Sequence, residues 1–574
     1  MKKISLAAAL FICVLTLFIG EVDAQGAKTF HNPIIAGFYP DPSICRVGDD
    51  YYLVNSTFSY FPGITIFHSK DLVHWELIGY VLNRPEQFNL DGQAVSRGIF
   101  APAIRYHNET FYVTCTLVDI GGNFVATAKN PAGPWSDPVW LPQINGIDPC
   151  LFFDDGASNS ADREKAYILY NSVAPDDKPL YEGHRTIRMY AFDPKVLAVT
   201  GKEQILINGG TDLSKKPIWI EGPHILHKDQ FYYLIAAEGG TADQHSEVVF
   251  RSEKVGGPYV PYKQNPILTQ RHLDPKRKFP ITCAGHADFV QTVAGDWWAV
   301  FLGSRPYEPV EEGYVNTGRE TFLAPVRWNN GWPTVDLGSD VVQYSYPLPV
   351  QTSEIVGTVC GGNIRARDNF DKPVLDINWA FLRTPHTRWY DLVQKPGFVI
   401  LALRPESCDG AMNPSFLGRR QQHLYGTAST ALEFTPQAEN EKAGLVIFHN
   451  EEHFYYLCKS LDQGSTVVQL FQSGRARKSM ELLASAVLEK NDAGKKLFLK
   501  VEAKGNSYSF SFGTAPDQWI LLKEHVDARF VSTRVAGGFV GCLYGLYATS
   551  LGDSSSAVAS YDWFETVSND PVYQ

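Results

Sequence analysis

Methionine is scarce in this chain, with 4 in 574 residues, and a sustained helical period is missing. Helical bundles rest on that period, so an all-helical fold is set aside. Basic residues are the minority, 51 Lys and Arg against 62 Asp and Glu, for a formal net charge of -11. Phosphate binding needs a basic face, so the balance argues against nucleic acid and otherwise reads as solubility. The cysteines form no CxxC pair and no Cys/His cluster, which removes zinc. There is no Gly-x-Ser-x-Gly elbow and no Cys beside a His in a motif. A nucleophilic serine or cysteine mechanism therefore has no support. Beyond the N-terminus, no apolar run is long enough to span a membrane as a helix.

The exception at the N-terminus reads as a signal peptide. Lys2 and Lys3 precede an apolar run from Leu6 to Ile19, and Val22-Asp23-Ala24 offers small residues at a cleavage site. Residues 1–24 are expected to be removed, leaving a protein without a membrane anchor. Its expected place is the periplasm of a bacterial host, with secretion as the alternative. Eight cysteines remain, from Cys45 to Cys542, and their strand-like settings suggest buried free thiols.

Aromatics are abundant, at 13% of residues with 28 Tyr and 12 Trp, which suits strands and sugar stacking. The length calls for more than one core. The first 340 residues repeat a unit of polar turn, aromatic strand, second strand and closing turn. Tyr52, Tyr112, Ile168, Tyr232 and Trp297 hold equivalent strand positions, at steps of 60, 56, 64 and 65 residues. Five units of this size, built from short strands, predict a five-bladed β-propeller over 28–345.

Stepping back 11 positions from these markers reaches Asp41, Ala101, Glu221 and His286. In the third unit a polar insertion, Asp154 to Lys165, lengthens the step to 20, and Asp148 takes the place. Innermost strands of a propeller line one channel, so equivalent positions face one another across it. A single Asp-Pro pair is ordinarily a turn. It is the shared repeat position of Asp41, Asp148 and Glu221 that makes them a candidate site.

Residues 346–362, rich in Pro, Ser, Gly, Thr and Val, read as a linker. From 363 to 574 the chain is again strand-patterned but without the repeat. Residues 397–403, 444–448 and the strictly alternating 507–512 suggest one β-sandwich.

Carboxylates that meet across a channel suit glycosidic bond hydrolysis. One acid protonates the leaving oxygen while a carboxylate about 6.5–9.5 Å away activates water in an inverting mechanism. A third carboxylate beside the acid raises its pKa by like-charge repulsion.

Several stretches carry a family resemblance. Asn32-Pro33-Ile34 through Tyr39-Pro40-Asp41-Pro42-Ser43-Ile44, then Asp49-Asp50-Tyr51-Tyr52, resembles the opening of family-43 glycoside hydrolases. So do Gly146-Ile147-Asp148-Pro149, Glu221-Gly222-Pro223-His224, Ala284-Gly285-His286 and Gly318-Arg319-Glu320-Thr321. Phe370-Asp371 with Asn378-Trp379, then Leu417 to His423 and Tyr561-Asp562-Trp563-Phe564, is similar to the concanavalin-like sandwich, a jelly roll, of the β-xylosidase-type members.

The resemblance implies an inverting exo-hydrolase that takes a terminal pentose from hemicellulose oligosaccharides and requires no cofactor. It assigns Asp41 as general base, Glu221 as general acid and Asp148 as the residue that tunes and orients Glu221. It places His286 and Arg319 at the terminal sugar, with Phe58 and Phe100 walling that subsite. Many such relatives have Trp where Phe100 stands, which tilts the expectation to an α-L-arabinofuranosidase, with β-1,4-xylosidase as the alternative. A non-catalytic carbohydrate-binding propeller is the distant alternative, and the three intact acids stand against it. The family's sandwich lends a loop to the pocket, for which Gly537-Gly538-Phe539 is the candidate. Asp371 and Asp562 are candidates for a structural Ca²⁺. The oligomeric state is left open.

Overall fold

The computed structural model describes residues 28–154, 165–474 and 479–574, so the expected signal peptide lies outside the described residues. Five antiparallel sheets form the N-terminal domain, each a blade of the propeller. Their innermost strands are Ser43–Val47, Ala103–His107, Ile147–Asp154, Glu221–Lys228 and Thr282–Gln291. Each packs on the next, and the fifth packs on the first, which closes the ring. The five marker residues all fall on the second strands. Those strands are covered on both faces by neighbouring blades. Strict alternation is therefore lost, as in Trp298-Ala299-Val300-Phe301-Leu302, where every side chain is buried.

The ring is fastened where its ends meet. Thr29–His31 pairs with Ser345–Pro347, setting Phe30 opposite Tyr346. Residues 346–362, which join the two domains, also pair with the propeller on their way. Thr358–Val359 adds a fifth strand to the first blade by pairing with His74–Leu82. Polar, turn-rich composition does not prevent such an addition, because an edge strand needs only free backbone groups.

Two eight-stranded sheets face each other in the C-terminal sandwich. One of them takes its last strand from the propeller: Tyr60–Phe61 pairs with Ala380–Leu382. The propeller thus lends a strand to the sandwich, while the connecting segment lends one to the propeller. The alternation of Ser507–Gly513 puts Tyr508, Phe510 and Phe512 into the core between the sheets. All eight cysteines among the described residues are free thiols.

A buried ionic cluster also joins the domains. Arg305 donates Nε and Nη2 to Glu320 at 2.6 and 2.8 Å, and Nη1 to Asp570 at 2.9 Å. Its Nη2 also reaches the Gln422 carbonyl at 2.7 Å. His423 lies 3.1 Å from the same Asp570 carboxylate. Removing one member of a buried pair strands the rest. Arg305→Leu is expected to cost about 3–5 kcal/mol, measured by urea unfolding. A loss below about 1 kcal/mol would show that solvent reaches Glu320 and Asp570.

Candidate active site

The inner strands do not run straight past the channel. In the third, fourth and fifth blades the pairing slips at the same place: around Asp148, just after Glu221, and around His286. Asp148 (φ 56) and His286 (φ 53) are left-handed there, and so is Asp41 (φ 54) just before the first inner strand, a conformation uncommon outside glycine. Each slip turns one side chain off the sheet and into the channel. Gly222 (φ 56) lets the fourth strand come close, since a Cβ there would stand 2.9 Å from the His286 ring.

Asp41 is the best-anchored acid. Its Oδ2 accepts the Ser56 hydroxyl at 2.6 Å and its Oδ1 accepts Arg319 Nη1 at 2.9 Å. Arg319 Nη1 also donates to Thr241 Oγ1 at 3.0 Å. Asp148 accepts the Gly222 N–H at 3.0 Å. Among the described residues, no protein group hydrogen-bonds the Glu221 carboxyl, which leaves it free for a ligand.

These contacts separate the acids electrostatically. Burial pushes Asp41 up, but Arg319, His286 and the Ser56 hydrogen bond outweigh it and hold its pKa below the ordinary value. Burial lifts Glu221 to about 8, with the charges of Asp148 and Asp41 adding to the rise. Asp148 is also raised, by burial first and with Asp41 adding to it, while His286 opposes. One pocket thus holds an ionised carboxylate and a protonated one at neutral pH.

The rim combines both domains. Phe58 lies 5.4 Å from Phe100 and 6.0 Å from Phe539, ring to ring, with Phe100 and Phe539 5.9 Å apart. The sandwich loop at 537–539 therefore does reach the site. The Phe539 N–H is held by Ser96 Oγ at 3.0 Å, and Arg319 lies 5.5 Å from the Phe539 ring centroid. Gly318 (φ 71) permits the crossing, because a Cβ there would stand 2.8 Å from the Gly541 nitrogen. Beside this rim lies a cavity of about 470 Å³ that Arg319, Thr241, Phe539 and Val540 line and the three acids do not.

The structure brings together Asp41, Asp148, Glu221, His286, Arg319, Phe58 and Phe100. It adds Thr241, Ser56, Arg185 and His245, none of which falls on the repeat position. His245 donates Nδ1–H to the Cys283 carbonyl at 2.8 Å, and burial pushes its pKa down to about 4, so it is neutral. The two acids singled out as calcium candidates stand in different settings. Lys496 Nζ occupies Asp562 Oδ2 at 2.6 Å, and Asp371 is exposed. Among the described residues, no group of three or more His, Cys, Asp or Glu is placed to hold a metal.

Comparison with known proteins decides the family. The model for Glycosyl hydrolases family 43 matches residues 30–333, and that for the Beta xylosidase C-terminal Concanavalin A-like domain matches 367–566. The chain belongs to glycoside hydrolase family 43. It is 40% identical to a xylosidase/arabinosidase of Butyrivibrio fibrisolvens, over 93% of this chain and 98% of that protein. It is 39% identical to the non-reducing end alpha-L-arabinofuranosidase BoGH43B of Bacteroides ovatus, over 97% and 98%. The solved structure of the Bacteroides ovatus xyloglucan PUL GH43B superposes with a TM-score of 0.82 at 38% identity, covering 94% of this chain and all of that one.

As a family-43 enzyme, the protein is expected to lose activity on the alkaline side as Glu221 ionises near pH 8. Asp148→Asn removes a negative neighbour, which favours ionised Glu221 and lowers its pKa. The alkaline limb of the kcat/KM profile is then expected to move to lower pH. A limb that stayed or moved upward would contradict the coupling.

Proposed function

We propose that the protein is an exo-acting, inverting α-L-arabinofuranosidase of hemicellulose oligosaccharides. One observation carries the mechanism: in a single pocket Asp41 is tied to Arg319 and Ser56, whereas Glu221 has no such partner among the described residues and its pKa is raised. Glu221 protonates the glycosidic oxygen of the departing sugar. Asp41, held ionised by Arg319, takes a proton from the water that attacks the anomeric carbon from the opposite side. Asp148 keeps Glu221 protonated and orients its segment through the Gly222 N–H. His286 and Arg319 support the terminal pentose, and Phe58, Phe100 and Phe539 shape its subsite. The Phe539 loop closes that end, in keeping with release of single terminal sugars.

Support for the arabinoside comes from Phe100 at the rim and from the Bacteroides ovatus relative. A β-1,4-xylosidase is the second reading, supported by the beta-xylosidase of Bacillus subtilis at 32% identity over 90% of this chain and 95% of that protein. Export to the periplasm belongs to the same proposal and rests on Lys2, Lys3 and the apolar run after them.

Glu221→Gln is expected to lower kcat on an oligosaccharide about 10²–10⁴-fold, the range for removing a general acid. Full retention would remove Glu221 from that role. Proton NMR of the first product is expected to show inverted configuration, whereas retention would contradict Asp41 as base on water. Turnover of nitrophenyl α-L-arabinofuranoside is expected to exceed that of nitrophenyl β-D-xyloside. The reverse order would favour the second reading.

A further inference from the structure

We propose that Trp219, backed by Arg185, is the platform on which the leaving-group sugar stacks beside Glu221. The inference rests on the reading of Glu221 as general acid.

Trp219 is an exposed aromatic where a buried one would be ordinary. It is 40% accessible, while its neighbour Ile220 is fully buried. It is held at φ 51, the left-handed region that costs a bulky residue strain. Three hydrogen bonds fix the segment. The Trp219 N–H donates to the Gly183 carbonyl at 2.8 Å, and the Gly239 N–H to the Ile218 carbonyl at 2.9 Å. Asn171 Nδ2 donates to the Ile220 carbonyl.

The same asparagine holds the arginine behind the ring. Arg185 donates Nε and Nη2 to Asn171 Oδ1 at 3.0 and 2.7 Å. Its guanidinium lies 4.7 Å from the Trp219 ring centroid. One side chain, Asn171, thus ties together the backbone just before the acid and the cation that supports the indole. This arrangement holds an exposed ring still, and a fixed ring loses little freedom when a sugar stacks on it.

Chemistry supplies the occupant. A general acid donates its proton to the oxygen between the terminal sugar and the next one. The next sugar therefore lies on the Glu221 side of the pocket. Two residues of extended chain span at most about 7 Å, so Trp219 stands within reach of that sugar. The terminal-pentose subsite is walled elsewhere, by Phe58 and Phe100 of the propeller and Phe539 of the sandwich.

The test compares an oligosaccharide carrying the terminal pentose with the glycosyl fluoride of the same pentose, which has no sugar on the leaving side. Trp219→Ala is expected to raise KM for the oligosaccharide on the order of tenfold, the scale of one aromatic stacking contact. The ratio of kcat/KM for oligosaccharide over fluoride is expected to fall by the same factor. Trp219→Phe, which keeps a ring, is expected to restore most of that ratio and guards against a folding defect. An unchanged ratio, or a ratio that falls equally in Trp219→Ala and Trp219→Phe, overturns the platform. Should Glu221→Gln still hydrolyse the oligosaccharide at full rate, the acid assignment fails whatever Trp219 does. If that variant is inactive and the ratio in Trp219→Ala is unchanged, the platform alone fails.

Discussion

The ion pair between Asp41 and Arg319 is the contact on which the rest of the site depends. Asp41 leads into the first blade and Arg319 leads into the third strand of the last, so the pair spans the seam where the ring closes. Strand pairing of Thr29–His31 with Ser345–Pro347 holds the seam at the rim, and the ion pair holds it at the channel. The same guanidinium lies near the ring faces of Phe58 and Phe539 and donates to the Phe539 carbonyl at 3.5 Å. One cation thus sets the charge of an acid, the closure of the ring and the position of a loop from the other domain.

That arrangement explains why three carboxylates can share a small space. Each would rise on burial, and mutual repulsion would raise all of them. Arg319 and Ser56 single out Asp41 for ionisation, and its charge then falls on Asp148 and Glu221. Glu221, which accepts no protein hydrogen bond among the described residues, is pushed up and stays protonated. Ordering by hydrogen-bond partners is more robust than ordering by depth, because a partner acts on one oxygen and burial acts on the whole group.

Much of this is legible in the amino-acid sequence. The spacing of Tyr52, Tyr112, Tyr232 and Trp297 reports the blades, because each blade must place an aromatic strand behind its inner one. Asp41, Glu221 and His286 stand out because each lies 11 residues before its marker, and Asp148 joins them once the insertion after Asp154 is allowed for. Thr241, His245 and Arg185 do not, since they come from a loop between second and third strands and from the start of a third strand, whose spacing differs between blades. The added strands Tyr60–Phe61 and Thr358–Val359 are also hidden. Two or three residues adding to an edge carry no periodic signal. Nor does the motif around Asp562 reveal its lysine partner, Lys496, which comes from a distant stretch of chain.

The strand that the propeller lends to the sandwich bears on how the pocket works. Tyr60–Phe61 belongs to a sandwich sheet, and Phe58 lies two residues before it. Phe539, on the sandwich, stacks on Phe58 at an interplanar angle of 19°. A shift of the sandwich relative to the propeller would therefore pull on both aromatic walls and, through Phe539, on Arg319. The domains are locked by paired backbone and by the buried Arg305 cluster, so the subsite for the terminal sugar keeps one shape. The Trp219 side has no such cover: its segment is clamped within the propeller, by Gly183, Gly239 and Asn171. A rigid, enclosed terminal subsite facing an open aromatic one is what an exo-enzyme needs to be strict about the sugar it releases and tolerant of the chain it leaves behind.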